Sequence, residues 1–141
     1  MSASVIDIEA LLLPISQDNP AGCDLREDPT ASTAYHTLKD ARMSARHFER
    51  DTGQAVDSAS AKKAWQQVKK MSQALLKNQS KDLEIAAWLI ESLLRLHDFA
   101  GLRDGFLLVD ALLWQYWPQL YPRDNKDIAA RVSSLGGLNG F

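Results

Sequence analysis

Apolar residues recur at spacings of three and four along most of the chain, which is the periodicity of amphipathic α-helices. No alternating apolar and polar run is long enough to predict a strand. Between Pro14 and Pro29, proline, glycine and asparagine interrupt every turn, so we expect a long ordered loop near the N-terminus. The pattern therefore predicts an all-α fold, a compact bundle of about five to six helices, at residues 5–13, 32–51, 60–78, 80–98, 99–117 and 127–135.

The most apolar part of the chain extends from Ser80 to Trp117 and predicts two helices that join at Asp98 and Phe99. Ser80 is the expected N-cap of the first helix. The second helix has two apolar stripes on different sides of its surface. A main stripe is predicted to face the core: Phe99, Leu102, Phe106, Val109, Leu113 and Trp117. A second stripe contains Leu107, Ala111 and Trp114.

Two tryptophans lie outside the apolar faces that are needed to form the core. Trp88 lies in an otherwise charged arc of its helix, and Trp114 lies on the second stripe together with Leu107. Tryptophan is enriched at interface hot spots, but another helix can equally cover it inside a domain. We expect both tryptophans to be buried within the domain. The alternative is that Leu107 and Trp114 form a protein-interaction surface.

Composition narrows the class of protein. A chain of 141 residues is about one domain long, and its net charge of −2 does not indicate a nucleic-acid-binding protein. The single cysteine, Cys23, cannot form an internal disulfide and has no zinc-site spacing, which favours a reducing compartment. Residues 1–14 do not have the pattern of a signal peptide, and no apolar run is long enough to span a membrane. We therefore expect a cytoplasmic protein that does not insert into membranes.

Catalytic and metal-binding patterns are absent from the sequence. His36 and His47 are three helical turns apart, too far to share a metal ion. His97 lies near the end of its helix, where a positive charge would favour the helix dipole. No nucleotide-binding glycine motif or nucleophile elbow occurs. We therefore predict no catalytic, cofactor or metal site. A metal-dependent or hydrolytic enzyme is an alternative that would need a deep pocket with converging histidines and carboxylates.

Basic residues follow one face of the second predicted helix, and they allow two interpretations. Arg42 and Arg46, flanked by Lys39 and Arg50, could form a docking surface for an anionic partner. Alternatively, the arginines pair inside the domain with Asp24, Glu84 or Glu91. We favour the second interpretation because acidic residues, Asp40 and Glu49, intersperse the basic ones.

Several segments occur together in an order that resembles a known family. They are PISQDNPAGCDLR, YHTLKDARMSARHFER, the isolated Trp65, SKDLEIAAWLIESLLRLHDFAGLRDGF, WPQLYP and GGLNG. Together they resemble the ImpA-related N-terminal domain, which forms the N-terminal region of TssA proteins in bacterial type VI secretion systems. The resemblance covers residues 11–140, nearly the whole chain.

The resemblance implies a non-enzymatic assembly component that contacts baseplate proteins or tail tube and sheath proteins. It also implies that residues 1–141 are one domain of a longer protein, whose middle and C-terminal oligomerisation regions are missing here. Self-association that reinforces the oligomer is the alternative function. No catalytic residue follows from the family. Its recurring residues could form an internal polar network: Asp24, Arg26, Asp40, Trp88 and Arg103.

Overall fold

The computed structural model describes residues 3–50, 58–123, 127–136 and 138. It confirms the all-α class: within these residues there are no strands, only two isolated bridge pairings. The helices are α1 (Ile8–Leu12), α2 (Ser32–Glu49), α3 (Ser58–Asn78), α4 (Leu83–Tyr116) and α5 (Ile128–Gly136).

The prediction of Ser80 as a helix cap is wrong. Its main chain pairs with Gly22 in an isolated bridge, and its buried hydroxyl has no hydrogen-bond partner among the described residues. Asp82 caps α4 instead, because its carboxylate accepts from the N–H groups of Glu84 and Ile85 at 2.8 and 3.2 Å. An aspartate two residues later therefore replaces the serine in the same capping role.

The predicted long N-terminal loop is not evident as a single loop in the structure. Asp7 caps a short α1, and the connection from residue 13 to residue 31 is a series of hydrogen-bonded turns. Ile15 donates to the carbonyl of Pro20, and Cys23 donates to the carbonyl of Gln79, which fastens the connection to the end of α3.

Helix α4 is a helical hairpin rather than one rod. Asp98 adopts φ 52° and ψ −134°, which breaks the helix into α4N (residues 83–97) and α4C (residues 99–116). The N–H of Leu83 donates to the carbonyl of Tyr121, so the start of α4N lies beside the chain that follows α4C. The two halves are therefore antiparallel, and the predicted junction at Asp98 is correct.

Helix α4N is the centre of the core and is buried on nearly all sides. One charged residue just before it, Lys81, is also fully buried. Its Nζ donates to the carbonyls of Leu11 and Leu76 at 2.7 Å each, which joins the ends of α1 and α3. Burial lowers the pKa of Lys81 to about 8, because the charged form loses its hydration.

Candidate protein-interaction surfaces

Two glycines lie on the buried side of α4C. A Cβ atom at Gly101 would lie 2.1 Å from the carbonyl oxygen of Leu93, and one at Gly105 would lie 2.6 Å from Cγ1 of Ile90. Only a residue without a side chain permits such an approach. The backbone of α4C therefore packs directly against α4N.

Large apolar side chains lie on the opposite side of α4C, in solvent. Phe99 is 82% exposed and Trp114 is 84% exposed, while Phe106 and Leu107 are about half exposed. At 100° per residue, these four side chains fall within an arc of roughly 100°. We call Phe99, Phe106, Leu107 and Trp114 the aromatic face.

Two predictions about α4C are wrong. Phe99 and Phe106 were expected in the buried stripe, and Trp114 was expected inside the domain, yet all three are exposed. The physical reason is that the side of α4C with Gly101 and Gly105 faces α4N, which turns the opposite side to solvent. A hydrophobic pattern gives little weight to glycine, although close backbone contact buries these two. Trp88, in contrast, is buried as expected.

Arg42 and Arg46 contact a single buried carboxylate on α4N. Arg42 Nη2 lies 2.7 Å from Glu91 Oε1, and Arg46 Nη1 lies 3.2 Å from Glu91 Oε2. Glu91 is 2% exposed, so the two guanidinium groups compensate its lost hydration. This geometry matches pairing inside the domain, the interpretation that the sequence favours, and each arginine keeps only part of its side chain in solvent.

A polar network connects the loop after α1 to α2 and α4N. Arg26 pairs with Asp82 at 2.5 Å and with Asp24 and Glu84 at 3.1 Å each. The hydroxyl of Tyr35 donates to the same Glu84 at 2.6 Å. The network continues through aromatic contacts: the Tyr35 ring stacks on Trp88 with centroids 5.6 Å apart, and the Arg42 guanidinium lies 5.5 Å from the Trp88 ring centroid.

The structure places Asp24, Arg26 and Trp88 in this network but not the other two predicted members. Asp40 is exposed on α2, and among the described residues no hydrogen bond or ion pair joins it to the network. Arg103 instead pairs with Asp104 at 2.9 Å and donates to the carbonyl of Ala3 at 3.0 Å. Arg103 therefore helps to hold the N-terminal segment against α4C.

Asp104 is the buried partner in that second cluster. Its carboxylate accepts from the N–H of Val5 at 2.6 Å and from Arg103. Burial opposes ionisation of Asp104, but these donors outweigh it and hold the pKa of the carboxyl below its ordinary value. Sequence periodicity gives no signal for this residue, because an aspartate next to an arginine on a helix resembles a solvated position.

The described residues contain no group of three or more His, Cys, Asp or Glu side chains that could hold a metal ion. His97 lies 2.9 Å from the amine of Lys69. Burial and this cation lower the pKa of His97, so the expected positive charge at the end of α4N is disfavoured. No helix in the described ranges is long and apolar enough to cross a membrane.

Comparison with known proteins gives consistent matches. The family described as ImpA, N-terminal, type VI secretion system, matches residues 12–140. The type VI secretion system component TssA1 of Pseudomonas aeruginosa is 36% identical over 138 residues, which are 95% of this chain and 38% of the relative. A solved N-terminal domain of TssA from Burkholderia cenocepacia superimposes with a TM-score of 0.74 at 28% identity, over 99% of this chain and 49% of that chain. The chain thus spans less than half the length of either protein.

Proposed function

Because the chain belongs to the ImpA N-terminal family of type VI secretion system proteins, we propose that it is a docking module of the secretion machinery. In this proposal, it contacts baseplate proteins or tail tube and sheath proteins through the aromatic face. It acts in the cytoplasm as one domain of a longer TssA-like protein and catalyses no reaction.

The exposed aromatic face carries this proposal. Two aromatic residues that are more than four-fifths exposed, Phe99 and Trp114, lie on one side of a helix whose other side is fixed by glycine packing. Large apolar side chains exposed on one side of a helix are a mark of interaction sites, and tryptophan is frequent among hot spots. Covering each ring would contribute roughly 2 kcal/mol, so this face favours a protein with apolar surface as partner.

A rigid support strengthens the proposal. Interface aromatic residues contribute most when the backbone that presents them is already in place. Here α4C is held by close packing against α4N, and its Arg103 and Asp104 bind the main chain of Ala3 and Val5 in the N-terminal segment. The partner would therefore meet a preformed surface rather than a flexible segment.

A pull-down with the purified domain tests the proposal. Baseplate, tube and sheath proteins of the same bacterium are offered to the wild type, to F99S/W114S, and to L13S/M43S. Leu13 and Met43 are exposed apolar residues outside α4, so the last variant is a matched control. We expect the wild type and the control to retain a tail protein that F99S/W114S loses. Recovery of no tail protein by the wild type, while the full-length protein recovers one, would contradict the proposal.

Self-association through Leu107 and Trp114 is the second candidate function, since the same exposed pair could cover its counterpart on another copy. In the longer protein it would reinforce an oligomer that forms mainly through other regions. Light scattering over a range of concentrations distinguishes the candidates. A mass that rises with concentration, and that W114S returns to the monomer, supports self-association, whereas a concentration-independent monomer removes it.

A further inference from the structure

Helix α3 has an unusual charge distribution for a chain with a net charge of −2. It carries five of the chain's eight lysines and no acidic residue. At 100° per residue, its lysines fall within an arc of roughly 120°, away from the buried side of the helix. We call these residues the basic face: Lys62, Lys63, Lys69, Lys70 and Lys77.

The described part of the domain does not pair this charge with acidic side chains. Every side-chain ion pair found among the described residues uses an arginine, at Arg26, Arg42, Arg46, Arg95 or Arg103. None of the α3 lysines forms such a pair in the part of the chain that the structure describes. Lys69 instead contacts the ring of His97. Most of the basic face therefore stays available to an outside anion.

An open groove accompanies the basic face where α3 lies beside α1. It consists of two adjoining depressions of about 650 and 590 Å³, and Asp7, Lys69 and Gln73 line both. Lys70 and Lys77 line the second depression, towards the C-terminal end of α3. Lys62 and Lys77 are separated by roughly 22 Å along the helix axis, about the length of a four-turn helix.

We propose that the basic face of α3 and this groove bind an acidic, helical segment of a partner protein. Charge complementarity identifies the chemistry: carboxylates along one side of a helix would meet lysines that recur every seventh residue, in the series Lys62 and Lys69 and the series Lys63, Lys70 and Lys77. The opposite wall of the groove carries Asp7 and Glu9. These carboxylates disfavour a uniformly charged polyanion such as a DNA duplex, but tolerate a segment whose other side is neutral or basic.

This binding surface does not depend on the aromatic face. The two surfaces lie on different helices and would bind by different forces, because one is apolar and the other is charged. Binding to the basic face should weaken strongly as the salt concentration rises, whereas apolar docking on α4C should not. Failure of either proposal leaves the other intact.

Fluorescence anisotropy tests the inference with a labelled helical peptide in which glutamates recur every third or fourth residue among alanines. The test variant is K70Q/K77Q, and the control is K39Q/R50Q, which removes the same charge from exposed positions on and beside α2. We expect K70Q/K77Q to weaken binding about fivefold or more, while the control changes it less than twofold. Since all four side chains are exposed, both variants should retain the wild-type melting temperature.

Three results would overturn the inference. One is that a peptide with glutamine in place of glutamate binds as well. Another is that the two variants weaken binding equally, which would mean a response to net charge alone. The third is that a short DNA duplex, or vesicles rich in phosphatidylglycerol, bind more tightly than the peptide, which would assign the basic face to a nucleic acid or a membrane surface.

Discussion

Substitution of Gly101 by alanine tests the packing that leaves the aromatic face in solvent. In an open helix this change stabilises by about 0.5–1 kcal/mol, because glycine loses more backbone entropy on folding. At Gly101 the added Cβ would meet the carbonyl oxygen of Leu93 at 2.1 Å, and a main-chain atom cannot move aside without shifting α4N. Overpacking typically costs about 1–3 kcal/mol and occasionally more. Because the clash here is with the main chain, we expect a cost of about 4 kcal/mol, which the helix-propensity gain reduces to a net loss of about 3 kcal/mol.

Two further glycines provide the controls. At Gly105 the added Cβ would meet Cγ1 of Ile90 at 2.6 Å, and a side chain can partly yield, so we expect a smaller loss of about 1–2 kcal/mol. At Gly136 an added Cβ would meet no atom within 4 Å, so alanine should leave the free energy of unfolding within about 0.5 kcal/mol of the wild type.

Urea unfolding followed by circular dichroism measures these differences, and a thermal scan should show a fall of roughly 10 °C for G101A. The expected order of stability is G136A, then G105A, then G101A. If G101A is as stable as the wild type, the two halves of α4 are not in backbone contact. Glycine packing then does not explain why the aromatic residues face solvent.

Three other substitutions test the buried charges. R42A should lower the free energy of unfolding by about 2–3 kcal/mol, because it leaves the buried Glu91 with one cation. The control K39A, at an exposed position, should lower it by less than about 0.5 kcal/mol. Equal losses in urea unfolding would contradict the pairing of Arg42 with Glu91. The folded-state pKa of Asp104 is below its unfolded value, so its stabilisation is present above roughly pH 4 and is lost as the pH falls. D104N should lose less stability than the wild type as the pH falls. Parallel curves of stability against pH for the two proteins would refute this prediction. Burial lowers the pKa of Lys81 to about 8, against about 10.4 in the unfolded chain. Between these two pH values the unfolded chain holds the extra proton, so stability should rise with pH by up to roughly 1.4 kcal/mol per pH unit. K81M should remove this rise, and an unchanged pH curve would contradict the reasoning.

Sequence reasoning predicted the all-α class, the hairpin break at Asp98 and α3 almost to its ends, because each leaves a local periodic or turn signal. It also predicted that arginines of α2 could pair with Glu91, since charges of both signs recur at helical spacing. It misplaced the cap of α4 by two residues, because serine and aspartate are both good caps and only the tertiary pairing of Ser80 with Gly22 decides between them.

The orientation of α4C could not be predicted from its pattern. Hydrophobic periodicity places phenylalanine inside and ignores glycine, but the contact between two antiparallel helices can favour the smallest residues. Gly101 and Gly105 lie four residues apart and so share one side of the helix, and that spacing was the available signal. The exposure of Trp114 then follows from the position of this buried glycine side.

Photo-crosslinking at position 114 shows whether the aromatic face contacts a tail protein. Trp114 is replaced by benzoylphenylalanine in the protein as the bacterium makes it, and Met43, an exposed residue on α2, is replaced in a matched control. We expect a light-dependent adduct between position 114 and a baseplate, tube or sheath protein, with none from position 43. An adduct only with a second copy of the chain, or no adduct at position 114, would contradict this expectation.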